Sequence, residues 1–402
     1  MDKGSESKMV QEIIFVRHGK AEDRSPNLPD GDRKLTSKGE RELKALFSVL
    51  GPYLEEREKV KIWSSNLERA SQTAAMLSRE IGKAKVSFHG FIADGDFESF
   101  SKKAGRYGAR LLVIVGHEPH LSDWTERITG ARLDFRKGAA ISIRLDTAAP
   151  LKGELQWQLN PEQFIDGEVC PQLTFAAEEV EKPKVKGKGS LRKEMDRLFM
   201  SCLKEIVEAH NEFMRSPEDP ESVHKFRVKI RQFRSLVSFA KPELGQKGYE
   251  NIQDLTRELA GEFTYLREVD VMAGKIKEGY PAFLSILRSE RAKAEKEAYD
   301  KFASGAAAPL FFELLQWIEK DPFKNSKRGK KPLAGFTEAR AEDWLMRFRE
   351  GLLNLDYKDA GEIHALRIQG KKLRYMMSLM EPVLKENQAA LIPGLKELQD
   401  RL

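Results

Sequence analysis

The stretch that begins His224-Lys225-Phe226-Arg227 returns as His364-Ala365-Leu366-Arg367, and each later landmark keeps its interval. Arg231, Arg234, Ser238, Pro242 and Leu244 are answered by Lys371, Arg374, Ser378, Pro382 and Leu384. A repeat with no insertion or deletion means two copies of one structural unit, which confines this half of the chain to an internally duplicated fold. Each copy opens on an acidic helix-start signal, Asp219-Pro220 in the first and Asp359 with Glu362 in the second, and each helix is expected to run until its proline. On a helix, offsets of 0, 3, 7 and 10 residues fall within an arc of about 80°. One face therefore carries His224, Arg227, Arg231 and Arg234, and its twin carries His364, Arg367, Lys371 and Arg374. Phe226, Ile230, Phe233 and Val237, and Leu366, Leu373 and Met377, supply the apolar positions that bury the rest of each helix.

Charge follows the same division. Residues 181–402 hold 42 Lys and Arg against 35 Asp and Glu, whereas residues 1–180 are balanced at 27 against 28. A solvated face neutralised by nearby glutamates is the plain alternative, but two cationic rows without interspersed acids are poorly explained as salt-bridged surface. Aromatic residues are not interleaved with the rows as a base-stacking surface requires, which argues against nucleic acid and for a repeating anion without bases.

The first half has a different grammar. The apolar run Ile13-Ile14-Phe15-Val16 leads directly into Arg17-His18-Gly19, and Leu111-Leu112-Val113-Ile114-Val115 leads into Gly116-His117. Short apolar runs of this kind read as strands buried on both faces, and open parallel sheets bind ligands at the carboxyl ends of their strands. Two histidines so placed suit phosphoryl transfer to imidazole, whose neutral ring attacks phosphorus near neutral pH. Arg17 supplies a planar fork for two phosphoryl oxygens, and Gly19 lets the backbone approach the ligand. Arg69, near the start of the helical pattern that follows Ser64-Ser65, is a second clamp.

These pieces resemble the histidine phosphatase superfamily, and its SixA-type phosphohistidine phosphatases in particular. The matching residues are Phe15-Val16-Arg17-His18-Gly19, Arg33-Lys34-Leu35-Thr36, Ser64-Ser65 with Arg69 and Gln72-Thr73, and Val115-Gly116-His117. The resemblance implies a phosphoglycerate mutase-like α/β domain, with His18 as nucleophile and Arg17, Arg69 and His117 completing the phosphate pocket. His224-x-x-Arg227-x-x-x-Arg231-x-x-Arg234, its second copy, and Leu266-Arg267-Glu268-Val269-Asp270-Val271 resemble the CHAD family, the conserved histidine α-helical domain. That resemblance implies an all-α bundle with a pseudo-twofold that binds inorganic polyphosphate through the two rows.

The expected organisation is a phosphatase domain over 9–165, a linker over 166–189 rich in lysine and glutamate, and a helical domain over 190–402. The second repeat stops before any counterpart of Leu266 to Val271, so a truncated gene product or a bundle completed by a second chain, such as a homodimer, is expected. No confident leaving-group acid is visible; Asp94, Asp96 and Glu98 are the candidates. Imidazole leaves phosphorus more readily than an alkoxide, so the gap favours phosphohistidine, on a phosphorylated protein or a small phosphoryl donor, or another labile phosphoryl donor over sugar phosphates.

No cluster of Cys, His, Asp and Glu has metal-ligand spacing, so a metal-independent hydrolase without cofactor is expected. Two cysteines, a polar N-terminus and no long apolar stretch point to the cytoplasm and exclude a membrane partner. Two other classes stay open: a non-catalytic adaptor that localises to polyphosphate, and a nucleic-acid or acidic-partner binder.

Overall fold

In the computed structural model, which describes residues 10–57, 60–163, 169–176, 185, 187–276 and 280–401, the apolar runs become the centre of one sheet. β1 (Glu12–Arg17), β2 (Lys61–Ser64), β3 (Val86–Phe88), β4 (Leu111–Gly116), β5 (Ala140–Ala148), β6 (Leu151–Gln163) and β7 (Val169–Phe175) order as β3-β2-β4-β1-β5-β6-β7. The first four are parallel, and β5 to β7 extend the sheet antiparallel from β1. Five helices connect the strands: α1 (Ser37–Glu55), α2 (Glu68–Glu80), α3 (Gly90–Asp94), α4 (Phe97–Ala104) and α5 (His120–Thr129). Ile13, Ile14, Phe15 and Val16 are fully buried, as are Leu112 to Val115, because parallel strands carry helices on both faces. Phe15, Phe100 and Trp124 form the middle of one core layer, with the Phe100 and Trp124 rings stacked 4.4 Å apart.

The strand runs do not stop at residue 165. β7 lies inside the stretch read as linker, and its sequence Val169-Cys170-Pro171-Gln172-Leu173-Thr174-Phe175 conceals it, since a proline argues against a strand unless that strand is at an edge. β7 is one of the two edge strands of the sheet. The remaining linker call, Glu178 to Gly189, falls largely outside the described residues. The chain divides into two compact units, residues 1–177 with 299–312 and residues 178–298 with 313–402.

Beyond the sheet the chain is helical: α6 (Leu191–Arg215), α7 (Pro220–Ala240), α8 (Gln246–Gly261), α9 (Thr264–Lys275), α10 (Pro281–Ala303), α11 (Ala307–Glu319), α12 (Leu333–Leu353), α13 (Ala360–Met380), α14 (Glu386–Ala389) and α15 (Ile392–Arg401). The repeat is literal. α7 and α13 are both 21 residues long, are capped by Asp219 and Asp359, and end in short 3₁₀ turns that contain Pro242 and Pro382. α12, and α14 with α15, occupy the positions that the repeat interval assigns to α6 and α8. Phe226, Ile230, Phe233 and Val237 are fully buried, and Leu366, Leu373 and Met377 nearly so, which leaves the cationic faces free of core duty.

Candidate active site and basic surface

β1 and β4 are neighbours in register, Arg17 beside Gly116, so their ends deliver His18 and His117 to one place. The backbone there is locked: His18 N–H donates to the Gly116 carbonyl, and the His18 carbonyl accepts from Gly138 N–H. Gly19 is required for packing as well as for approach, because a Cβ on it would stand 2.7 Å from Leu43 Cδ1 on α1. The two imidazole rings lie 5.0 Å apart, both buried.

His18 Nδ1 is 2.7 Å from the Gly19 carbonyl oxygen. A carbonyl only accepts, so Nδ1 carries the proton and the lone pair is on Nε2. Arg69 Nε reaches that Nε2 at 3.2 Å from the first turn of α2. Burial pushes the His18 imidazole down to about 4; the Gly19 carbonyl opposes this, and Arg69, Arg17 and Lys137 add to the lowering. His117 is pushed to about 3 by burial first and then by His18, Arg69 and His120, with Asp30 opposing. Both rings are therefore neutral near pH 7. The acid limb of kcat/KM, which reports the free enzyme, is accordingly expected near pH 4 rather than 6.5, activity falling as protonation removes the Nε2 lone pair. A pH–rate profile extended to pH 3.5 checks this, with a limb at 6.5 contradicting it.

Near His18, buried polar atoms without a hydrogen-bond partner among the described residues are Arg17 Nε, an acceptor oxygen of Glu118, and both ring nitrogens of His117, one a donor and one an acceptor in the neutral ring. Donors left unpaired at a strand end cost free energy unless something accepts from them, and a tetrahedral oxyanion has acceptors on every side. Arg17 is held for this by Nη1, which donates to the Phe135 carbonyl at 2.5 Å.

Sequence reasoning missed the carboxylate that orients Arg69. Asp30, in a 3₁₀ turn between β1 and α1, receives Arg69 Nη1 on its carbonyl at 2.6 Å and Arg69 Nη2 on its carboxylate at 3.0 Å. Arg33 Nη2 bonds the other carboxylate oxygen at 2.8 Å. Burial raises the Asp30 pKa, but the hydrogen bond and charge of Arg69, then Arg33 and Arg24, leave it below its ordinary value. It is an ionised clamp and not a proton donor. Of the three acid candidates, Asp96 caps α4 by accepting from Ser99 N–H and Glu98 pairs with Arg127 at the surface. Asp94 ends α3, and no hydrogen bond joins it to His18, Arg69 or His117 among the described residues. Among the described residues, no group of three or more His, Cys, Asp and Glu could hold a metal ion.

In the helical unit the two rows meet. α13 packs against α7, and Lys371 feels Arg231, its own counterpart in the repeat. When equivalent positions face each other, the pseudo-twofold axis passes between them. Burial, then Arg231, Arg367 and Arg374, hold the Lys371 ammonium below its usual range. Burial followed by Arg231 and Arg267 does the same to Arg227. His224 is lowered by burial and then by Arg267, a cation on α9 that belongs to the same surface and escaped the helical-row reading. Among the described residues no ion pair to a carboxylate involves Arg227, Arg231, Arg234, Arg367 or Lys371; the ion pairs of α7 are made by Lys225 with Glu212 and Lys229 with Glu205, away from the row. The rows are held by neutral groups instead. Arg227 donates to the Ala260 carbonyl at 2.9 Å and to Thr264 Oγ1 at 3.1 Å, and Arg234 Nε to Gln253 Oε1 at 3.2 Å. Arg374 lies over the Tyr375 ring, and His364 is exposed at the start of its row. Nearby acids offset this charge only in part, Glu268 at Arg227, Glu221 at His224 and Asp254 at Arg234, and a polyanion would relieve the remaining repulsion.

Known proteins divide along the same line. The family model for the CHAD domain matches residues 197–402, and the model for the histidine phosphatase superfamily (branch 1) matches residues 13–105. An uncharacterised protein of Picosynechococcus is 37% identical over 148 residues, 34% of this chain and 87% of that one. Among solved structures, a protein of Agrobacterium tumefaciens described as a SixA phosphohistidine phosphatase is 19% identical, with 34% of this chain and 93% of that one aligned at a TM-score of 0.31. The CHAD domain of the plant Ricinus communis is 18% identical, with 55% and 76% aligned at a TM-score of 0.48. Among the described residues, no helix is long and apolar enough to cross a membrane.

Proposed function

Since the chain belongs to the CHAD domain family and its N-terminal unit to the histidine phosphatase superfamily, we propose a phosphatase that works through a phosphorylated His18 and is tethered to polyphosphate by its helical unit. The observation that carries the first part is the lone pair on His18 Nε2, which accepts from Arg69 Nε at 3.2 Å, with the neutral His117 ring 5.0 Å away and the Arg17 charge acting on the same imidazole. Nε2 attacks the phosphorus, the bond to the leaving group breaks, and the three phosphoryl oxygens lie against Arg17, Arg69 and His117, which oppose the charge of the transition state. Water then attacks the phosphorus of phosphohistidine, releasing orthophosphate and restoring neutral His18.

Asp30 is ionised, and among the described residues no other carboxyl is hydrogen-bonded to His18, Arg69 or His117, which favours leaving groups that depart without strong protonation. The substrate class is therefore phosphohistidine or another labile phosphoryl donor, on a protein or a small molecule, and the attack by His18 itself calls for no metal-activated nucleophile. Cys170 and Cys202 are buried free thiols, which suits a cytoplasmic protein. Phosphate release from phosphohistidine, phosphoramidate and p-nitrophenyl phosphate, each with and without chelator, tests this. Turnover is expected to be at least tenfold faster per encounter with the two N–P substrates and unchanged by chelator. A preference for the ester, or loss with chelator, overturns it.

A further inference from the structure

The cationic surface of the helical unit does not end at Arg234. Past the end of α7, Lys241 Nζ stands 4.7 Å above the ring of Tyr249, and Tyr249 is close enough to Arg234 to act on its charge. The equivalent position in the second copy is Glu381, so this extension belongs to the first copy alone. Tyr249 and Trp317 form part of the wall of a cavity of about 820 Å³, and Lys324, Lys327 and Arg328 line it from the segment between α11 and α12. That segment reads Lys320-Asp321-Pro322-Phe323-Lys324-Asn325-Ser326-Lys327-Arg328-Gly329-Lys330-Lys331, six cations against one acid.

The acids at the wall are already engaged. Glu243 accepts from Ser326 Oγ at 2.6 Å and lies 3.8 Å from Arg328 Nε, while Asp321 pairs with Arg192 at 2.5 Å. No ion pair to a carboxylate involves Lys324 or Lys327 among the described residues. The cavity is larger than a single phosphate needs and is continuous in charge with the α7 row. A lysine ammonium is a mobile point charge that suits a terminal phosphate of variable orientation, whereas the arginine forks of the rows suit the ordered body of a chain.

We propose that this basin captures the end of a polyphosphate chain whose body lies on the α7 and α13 rows, giving a pseudo-symmetric surface a direction. The proposal rests on the polyphosphate reading above. The test measures binding of long-chain inorganic polyphosphate, unmodified and with both ends blocked as phosphoramidates, to the full chain. The Lys324→Glu/Lys327→Glu double variant is compared with a charge-matched control, Lys85→Glu/Lys102→Glu, in the first unit. Unmodified polyphosphate is expected to bind the basin variant about tenfold more weakly than the control, with a shallower salt dependence. Blocked chains are expected to bind the unaltered protein about as weakly as unmodified chains bind the basin variant. Equal binding of the basin variant and the control, or equal binding of blocked and unmodified chains, overturns the basin. If Arg227→Glu/Arg367→Glu weakens binding and the basin variant does not, only the basin fails. If the row variant itself binds normally, the polyphosphate reading of the rows fails, and with it the continuity proposed here.

Discussion

His18→Ala is expected to abolish phosphate release, and Arg69→Ala to lower kcat by a hundredfold or more. The first removes the Nε2 lone pair that the Gly19 carbonyl fixes at the strand end beside Arg69. The second removes a guanidinium that touches His18 Nε2 directly, and losing a single preorganised donor to a developing oxyanion costs about 10²–10³ in rate. Neither change should unfold the protein. His18 is fixed by its backbone hydrogen bonds, and Asp30, which loses its partner in Arg69→Ala, is half exposed and retains Arg33. Single-turnover assays with labelled phosphoramidate separate the outcomes: label trapped on the unaltered protein and absent from His18→Ala is expected. Undiminished turnover by His18→Ala would leave the phosphate-binding adaptor as the reading of the first unit.

What was legible in the sequence tracks how local the signal is. Four apolar residues followed by Arg17-His18 announce a buried strand and its cargo within seven positions, and the repeat interval announces α7 and α13 with their caps to the residue. Asp30 was not legible, because its role depends on a turn folding back over α2, thirty-nine residues away, and nothing in Pro29-Asp30-Gly31-Asp32 is periodic. β7 was hidden by Pro171, whose meaning reverses between a central and an edge strand. Arg267 lay inside a quoted motif, but its place on the cationic surface is set by the packing of α9 against α7 and not by spacing along one helix. The segment from Lys320 to Lys331 looks like solvated loop until Tyr249 and Trp317 are seen to wall the cavity it lines.

The Arg227→Glu/Arg367→Glu double variant is expected to lower affinity for long-chain polyphosphate by at least a hundredfold at low salt and to flatten the dependence of binding on salt. Each change removes a cation that forms no ion pair with a carboxylate among the described residues and adds an anion beside Arg231 and Lys371, so phosphates at the pseudo-twofold axis meet repulsion where they met attraction. The size of the effect comes from incomplete local compensation, since Glu268 offsets Arg227 less than Arg231 and Arg267 act against it: were the rows fully balanced by glutamates, charge reversal would rearrange ion pairs and change affinity little. Acid should add only modestly to binding near neutrality, because burial and Arg267 hold His224 below its ordinary range and its positive charge is gained only at lower pH. Competition distinguishes the ligand class. Polyphosphate is expected to displace duplex DNA and single-stranded RNA at equal phosphate concentration, since the row positions themselves carry no aromatic residue to stack successive bases, and Tyr375 and Tyr249 are covered by Arg374 and Lys241. Displacement in the opposite direction would assign the surface to nucleic acid, and unchanged affinity in the double variant would return both rows to solvated surface.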